Sequence, residues 1–180
     1  MTRRLKAIPT TYHGIEFRSK LEARYATAFD KLGITWEYEG HGFAFDDGTW
    51  YCPDFYMPDI DTYFEVKGVF DGASVHKMQM LASEGEKVVY GTADGTIGVY
   101  ETADTPSGMD DQVTEEIRKR MNGALFGSVM MCKGCGTWYF EHMSNAQGCP
   151  RCGERFYVRD NEPNPIYMNL FEAAGWSHGR

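Results

Sequence analysis

No run of about eighteen apolar residues occurs in this 180-residue sequence, so it contains no candidate membrane-spanning helix. The first ten residues, MTRRLKAIPT, carry three basic side chains but no apolar segment behind them, which is not the pattern of a secretory signal. Cysteine is too unevenly placed for a disulfide framework: five are present, four in two C-x-x-C pairs and one, Cys52, alone. An odd count with paired spacing points to metal in a reducing compartment, and the expected location is the cytoplasm. Positive charge is short as well, with 18 basic residues against 26 acidic ones and a net charge of −8. That weighs against a nucleic-acid partner, because phosphate contacts need a basic footprint. Internal repeats and low-complexity tracts are missing too, apart from the duplicated cysteine pair.

The charge that is present is unevenly spread. Residues 1–70 hold eight basic against eleven acidic residues, 71–127 five against ten, and 128–180 five of each. The basic residues are grouped: Arg3, Arg4 and Lys6 near the start, Arg18, Lys20 and Arg24 around the first expected helix, and Arg118-Lys119-Arg120 later. Of these, Arg3, Arg4, Lys6, Arg18 and Lys20, with Lys133, Arg151 and Arg155 near the paired cysteines, are the candidate DNA contacts. Bound metal would neutralise part of the remaining acidity.

The length suits one domain with a real core and a small appendage. Residues 1–14 read as a basic arm without periodicity, either loose or folding onto phosphates. S-K-L-E at 19–22 is a capping box, which starts a helix with Leu21, Tyr25, Ala28, Phe29 and Leu32 on one face and Gly33 at its end. ITWEYE (34–39) alternates as a strand. GFAF (42–45), a DDG turn and TWYCPDFYM (49–57) form a hairpin, and TYFEVKG follows as a further strand. A helix capped by Asp71 spans 71–85, then KVVYG (87–91) and TIGVYE (96–101) add two strands. This order predicts a mixed α/β sheet domain over 15–101. Residues 102–127 read as a polar linker and a connecting helix (111–126), residues 128–160 as a cysteine-bearing module, and 161–180 as a tail with a short amphipathic helix.

The stretch Tyr51–Gly68, YCPDFYMPDIDTYFEVKG, carries the chemistry. In a strand, Glu65 and Lys67 share a face while Phe64 and Val66 take the other. If Asp54 ends the neighbouring antiparallel strand, two carboxylates and an ammonium converge. Two carboxylates hold a hard divalent cation, and a lysine beside them orients or stabilises an attacking water. An E-x-K triplet alone is a common accident, and a surface Glu–Lys cross-pair is its bland explanation. Glu22 has two readings, a helix cap or a further carboxylate aimed at the same site.

FRSKLEARYATAFDKLGITWEYE followed by YCPDFYMPDIDTYFEVKG resembles the phage endonuclease I family of Holliday-junction resolvases, within the PD-(D/E)xK nuclease superfamily. The shared features are an F-R-S-x-L-E helix start, a G-I-x-x-E-Y-E strand, a Y-x-P-D-F strand and an E-x-K-G strand, in that order over residues 15–91. The resemblance implies a restriction-endonuclease-like mixed sheet flanked by helices, in a phage-encoded enzyme acting in the host cytoplasm. It implies Mg²⁺ or Mn²⁺ on Asp54, Glu65 and the Val66 carbonyl, with Glu22 completing the acidic set. Lys67 would hold the water or stabilise charge on the phosphorane. It also implies a homodimer acting on branched DNA. The strongly basic C-terminal stretch of that family has no counterpart here.

The second constellation is CKGCGTWYFEHMSNAQGCPRCGERF. The pairs Cys132/Cys135 and Cys149/Cys152 are each trailed by Gly, as tight metal knuckles require. Four thiolates fit a closed, structural zinc, and the module looks like a zinc ribbon. His142 is a possible replacement ligand. Trp138, Tyr139, Phe140 and Phe156 read either as a small core or as stacking surfaces for unpaired bases. Cys52 reads as a small buried hydrophobe. The expected activity is a metal-dependent endodeoxyribonuclease for branched or distorted DNA. Its rivals are a site-selective or nicking nuclease, or a non-catalytic adaptor or DNA mimic that meets a protein partner through the ribbon or tail.

Overall fold

A computed structural model describes residues 7–100, 125–142, 148–155, 157–158, 162–163, 165–167 and 169–176. Arg3, Arg4, Lys6, the 102–111 linker, the connecting helix as far as residue 124 with Arg118-Lys119-Arg120, and Phe156 lie outside the described residues.

A hairpin of β1 (Thr10–Tyr12) and β2 (Ile15–Phe17) replaces the end of the expected basic arm. Its turn residues His13 and Gly14 both have positive φ (49° and 79°), the backbone twist that a two-residue hairpin turn needs. His-Gly is not the usual Asn-Gly signal, which is why the hairpin is easily read as loop. The Tyr12 hydroxyl donates to Asp30 at 2.8 Å and pins it to the first helix.

Helix α1 (Lys20–Leu32) begins and ends as its sequence predicts. The Ser19 hydroxyl accepts from the Glu22 N–H, and Gly33, with φ 66°, closes the helix in the left-handed conformation that a missing Cβ permits. Tyr25, Ala28, Phe29 and Leu32 are buried along one face.

Three short strands follow, β3 (Glu37–Tyr38), β4 (Phe43–Ala44) and β5 (Trp50–Tyr51), then β6 (Phe55–Met57) and β7 (Thr62–Lys67). Helix α2 (Gly72–Ser83), capped by Asp71, carries the chain over to β8 (Val88–Thr92), and β9 (Ile97–Tyr100) returns. β4 and β5 pair with each other, apart from the main sheet. Pairing of β7 with β8 is parallel, which requires the crossover helix; β3–β6, β6–β7 and β8–β9 are antiparallel. The result is a mixed sheet flanked by few helices, the α/β class expected.

The main correction concerns the cysteine-bearing module, expected as an appendage behind a helix that reaches residue 126. Leu125 and Phe126 instead open β10 (Leu125–Met131), which pairs with β9 through Leu125↔Val99 and Phe126↔Gly98, and β11 (Trp138–His142) pairs with β10. The sheet runs β11-β10-β9-β8-β7-β6-β3 without a break. The run LFGSVMM has one polar side chain in seven residues, and only an interior strand buries such a run on both faces. Val129, Met130, Tyr139 and Phe140 accordingly lie in the same core as Phe29 and Phe64.

The tail is also integral. After the small pair β12 (Tyr157–Val158) and β13 (Glu162–Pro163), β14 (Ile166–Tyr167) adds to β10. A single turn, α3 (Leu170–Ala173), capped by Asn169, stands where a short amphipathic helix was expected. Phe171 lies 4.9 Å from the Tyr25 ring, and the Arg24 guanidinium sits 3.7 Å over it, so Arg24 holds the tail.

Candidate active site and metal cluster

Strand register brings Asp54 and Glu65 together. Phe55 pairs with Phe64 across β6 and β7, so the next step along the ladder sets Asp54 opposite Glu65, and residues directly opposite share a face. Lys67, two residues further along β7, points the same way. Asp54 is 2% and Glu65 6% exposed. Each carboxylate oxygen has a partner. Val66 N–H donates to Asp54 Oδ2 at 2.7 Å, and the Arg18 guanidinium pairs with Oδ1. Lys67 Nζ donates to Glu65 Oε1 at 2.5 Å, and the Tyr51 hydroxyl donates to Oε2 at 2.9 Å.

The electrostatics follow from burying two like charges side by side. Burial, then the Glu65 charge, pushes the Asp54 carboxyl up to about 8; the Val66 amide and Arg18 pull the other way without cancelling the rise. Burial and the same Glu65 charge raise the Tyr51 phenol, which therefore stays a hydrogen-bond donor.

Glu22 reaches the edge of this group from the third position of α1. Its Oε1 accepts from the Ser19 hydroxyl at 2.7 Å, and its Oε2 from the Tyr38 hydroxyl at 2.6 Å and the Arg18 N–H at 3.1 Å. Its carboxylate thus braces the helix start through the Ser19 hydroxyl and the Arg18 N–H, one residue before the N-cap, and Glu22 also adds to the field that raises Asp54. Arg18 joins the acids: its Nε lies 2.9 Å from Glu39 Oε1 and 4.0 Å from Glu22 Oε2. Among the described residues, only the four paired cysteines place three or more Cys, His, Asp or Glu ligand atoms all within 4.8 Å of one another. Glu22 is thus linked to Asp54 through Arg18, not drawn into a tight acidic trio.

The site opens on a cleft of about 500 Å³ lined by Arg18, Glu39, Trp50, Tyr51, Cys52, Glu65, Ser74 and Lys77. Cys52 is half-buried and burial raises its thiol, as suits a small hydrophobe. Lys20 is exposed at the first position of α1. Tyr38, Tyr51, Trp50, Ser74 and Lys77 were not singled out from sequence. The two tyrosines had a usable signal, since each sits inside a quoted strand motif; Ser74 and Lys77 had only their i, i+3 spacing on α2.

The cysteine cluster closes as its spacing requires. Sγ of Cys132 lies 3.6 Å from that of Cys152, and Sγ of Cys135 lies 3.6 Å from that of Cys149. These separations are far above the ~2.05 Å of a disulfide and close to the ~3.8 Å edge of a tetrahedron of thiolates ~2.3 Å from zinc. The two knuckles repeat one turn: Gly136 N–H returns to the Cys132 carbonyl at 2.8 Å and Gly153 N–H to the Cys149 carbonyl at 2.9 Å. Both glycines have positive φ (73° and 72°). The cluster fits a structural ion such as zinc.

Tyr139 and Phe140 are core residues and Trp138 is half-buried against Tyr167, which leaves none of the three as an open stacking surface. Lys133, Arg151 and Arg155 are exposed on this module, where Arg151 donates to Thr137 Oγ1 at 3.4 Å. The His142 side chain lies outside the described residues. No described helix is long and apolar enough to cross a membrane. No protein-family model matches the chain, and no curated protein matches it.

Proposed function

We propose that the chain is a metal-dependent endodeoxyribonuclease of the PD-(D/E)xK kind, hydrolysing phosphodiester bonds in branched or distorted DNA. The carrying observation is the buried Asp54–Glu65 pair in cross-strand register, with Lys67 on the same face and a cleft in front. Two buried carboxylates in one another's field are costly unless a cation joins them, and an all-oxygen donor set suits a hard divalent ion. Asp54, Glu65 and the Val66 carbonyl would hold Mg²⁺ or Mn²⁺, with Glu22 adding negative charge from α1. When bound, the ion supplies Lewis-acid stabilisation and a more acidic water.

The protein's own residues do the rest. Tyr51 fixes the orientation of Glu65 through its hydrogen bond. Lys67, held against Glu65, offers an ammonium to the attacking water or to the oxygens that gain charge on phosphorus. Arg18, at the cleft wall, supplies the planar guanidinium that a phosphate takes up in a bidentate way. Zinc on the four cysteines would be structural, since four thiolates leave no position open for water.

The test is a panel of junction, flap, duplex and single-stranded DNA incubated with Mg²⁺ or Mn²⁺. Wild type should cut at least one substrate, and Asp54→Ala or Glu65→Ala should cut none while keeping the wild-type circular-dichroism spectrum. Wild type that leaves the whole panel uncut sinks the reading. The pattern of cuts also separates a junction resolvase from a site-selective nicking enzyme.

A further inference from the structure

We infer that Trp50 is a stacking platform for a base displaced from the helix beside the phosphate that is cut. The inference rests on the nuclease reading above and specifies its substrate: DNA in which one base has left the stack. Trp50 is 60% exposed, although a residue with this much apolar surface is normally well covered. Among the described residues its indole has neither a ring neighbour nor a hydrogen bond, and it belongs to neither hydrophobic core.

Its position is built, not incidental. Strand β5 alternates, so Tyr51 turns inward to Glu65 while Trp50 turns out to the rim of the same cleft. The indole rests on Gly42, where a Cβ would come within 2.8 Å of Trp50 Cζ2. A glycine there gives the ring a seat of bare backbone. In the lining of the same cleft, Ser74 and Lys77 stand one helical turn apart on α2 and supply a hydroxyl and an ammonium.

An aromatic face and phosphate-binding groups in the lining of one cleft suit a single nucleotide. The volume of about 500 Å³ lies in the range of ~300–1,000 Å³ typical of small-ligand sites. Base-on-indole stacking tolerates any sequence, because every base has a π face, so this contact would select a distorted structure and not a base order.

The experiment compares binding of a continuous duplex and of the same duplex carrying a one-nucleotide flap, with Ca²⁺ in place of Mg²⁺. Wild type, Trp50→Ala and Trp50→Phe are each measured. Trp50→Ala should reduce the preference for the flap about tenfold or more, and Trp50→Phe should keep most of it. An unchanged preference in Trp50→Ala overturns the inference and leaves the nuclease reading standing. So does loss of a wild-type dimer in Trp50→Ala by sedimentation velocity, which would assign the indole to a protein interface. If wild type binds neither DNA, this inference falls, and the nuclease reading is decided by the cleavage panel alone. Trp50→Phe covers the case in which the alanine variant folds poorly, since it preserves the ring and the hairpin.

Discussion

The ring of Phe140 lies 5.4 Å from that of Phe64, so the strand after the first cysteine pair packs against the strand that carries Glu65. Phe140 also meets Phe29 of α1 at 6.5 Å. Cys132 and Cys149 are themselves buried in this core. Metal on the cysteines would therefore be coupled to the sheet. Structural zinc is worth on the order of 10 kcal/mol or more in small peptides, comparable with the total stability of a domain. Chelation, or Cys149→Ser, should remove sheet structure everywhere in one transition, followed by circular dichroism on heating. Survival of a folded core with only the C-terminal part open to protease would contradict this.

Local chemistry was legible where local rules decide. The S-K-L-E cap, the Gly33 stop and the Asp71 cap each act within one helical turn, and all three stand in the structure as read. The alternation that places Glu65 and Lys67 on one face is just as local. Partners set by long-range topology were not legible. Nothing adjacent to Arg18 in sequence says that it meets Asp54, thirty-six residues on. The helix drawn over 111–126 runs into LFGSVMM, a run that is satisfied only inside a sheet. Trp50 escaped notice because exposure is a property of the fold.

Metal binding at the carboxylates should strengthen with pH. The folded Asp54 carboxyl, pushed up to about 8, holds its proton more tightly than the unfolded one near ~3.9. The native state therefore binds the extra proton between these values, and the metal-free site loses stability as pH rises from about 4 to about 8. A divalent cation displaces that proton, so the rise in Tm on adding Mg²⁺ should grow over this window and level off above it. Thermal shift of the zinc-loaded protein from pH 5.5 to 8.5 reads it. Asp54→Asn should flatten the trend, and an unaltered trend in that variant would place the titration elsewhere.

Close packing beside the site gives a stability prediction. Gly91 on β8 faces Tyr25, whose hydroxyl donates to the Thr92 carbonyl at 2.6 Å. A Cβ at Gly91 would fall 2.3 Å from that hydroxyl oxygen. Tyr25 is fully buried and cannot swing aside without opening the core between α1 and the sheet. Gly91→Ala should destabilise by about 1–3 kcal/mol, as overpacked cores do, and adding Tyr25→Phe should recover little of the loss, because the ring carbons Cζ and Cε1 lie 2.4 and 2.6 Å from the same Cβ. Denaturant titration of the two variants decides, and a neutral single variant would show that the ring has room to move.

Arg18 stands where a metal's charge would be felt. Its guanidinium pairs with Asp54 Oδ1 and lies 2.9 Å from Glu39, so it neutralises the acids that a divalent cation would otherwise neutralise. At a pH where Asp54 is ionised, removing it relieves a competitor and leaves Asp54, Glu39 and Glu22 repelling one another, and both changes favour an incoming cation. At lower pH the proton that Arg18 helps to expel from Asp54 would offset the gain. A charged hydrogen bond is worth about 1.5–3 kcal/mol, so Arg18→Ala should tighten Mn²⁺ binding roughly tenfold, measured by titration calorimetry without DNA. Cleavage at saturating metal should move the opposite way, falling at least tenfold as the phosphate loses its arginine, with Arg18→Lys intermediate. Opposite shifts in the two measurements distinguish a competing, substrate-binding arginine from one that merely holds Asp54 in place. In the latter case Arg18→Ala would weaken both metal binding and cleavage.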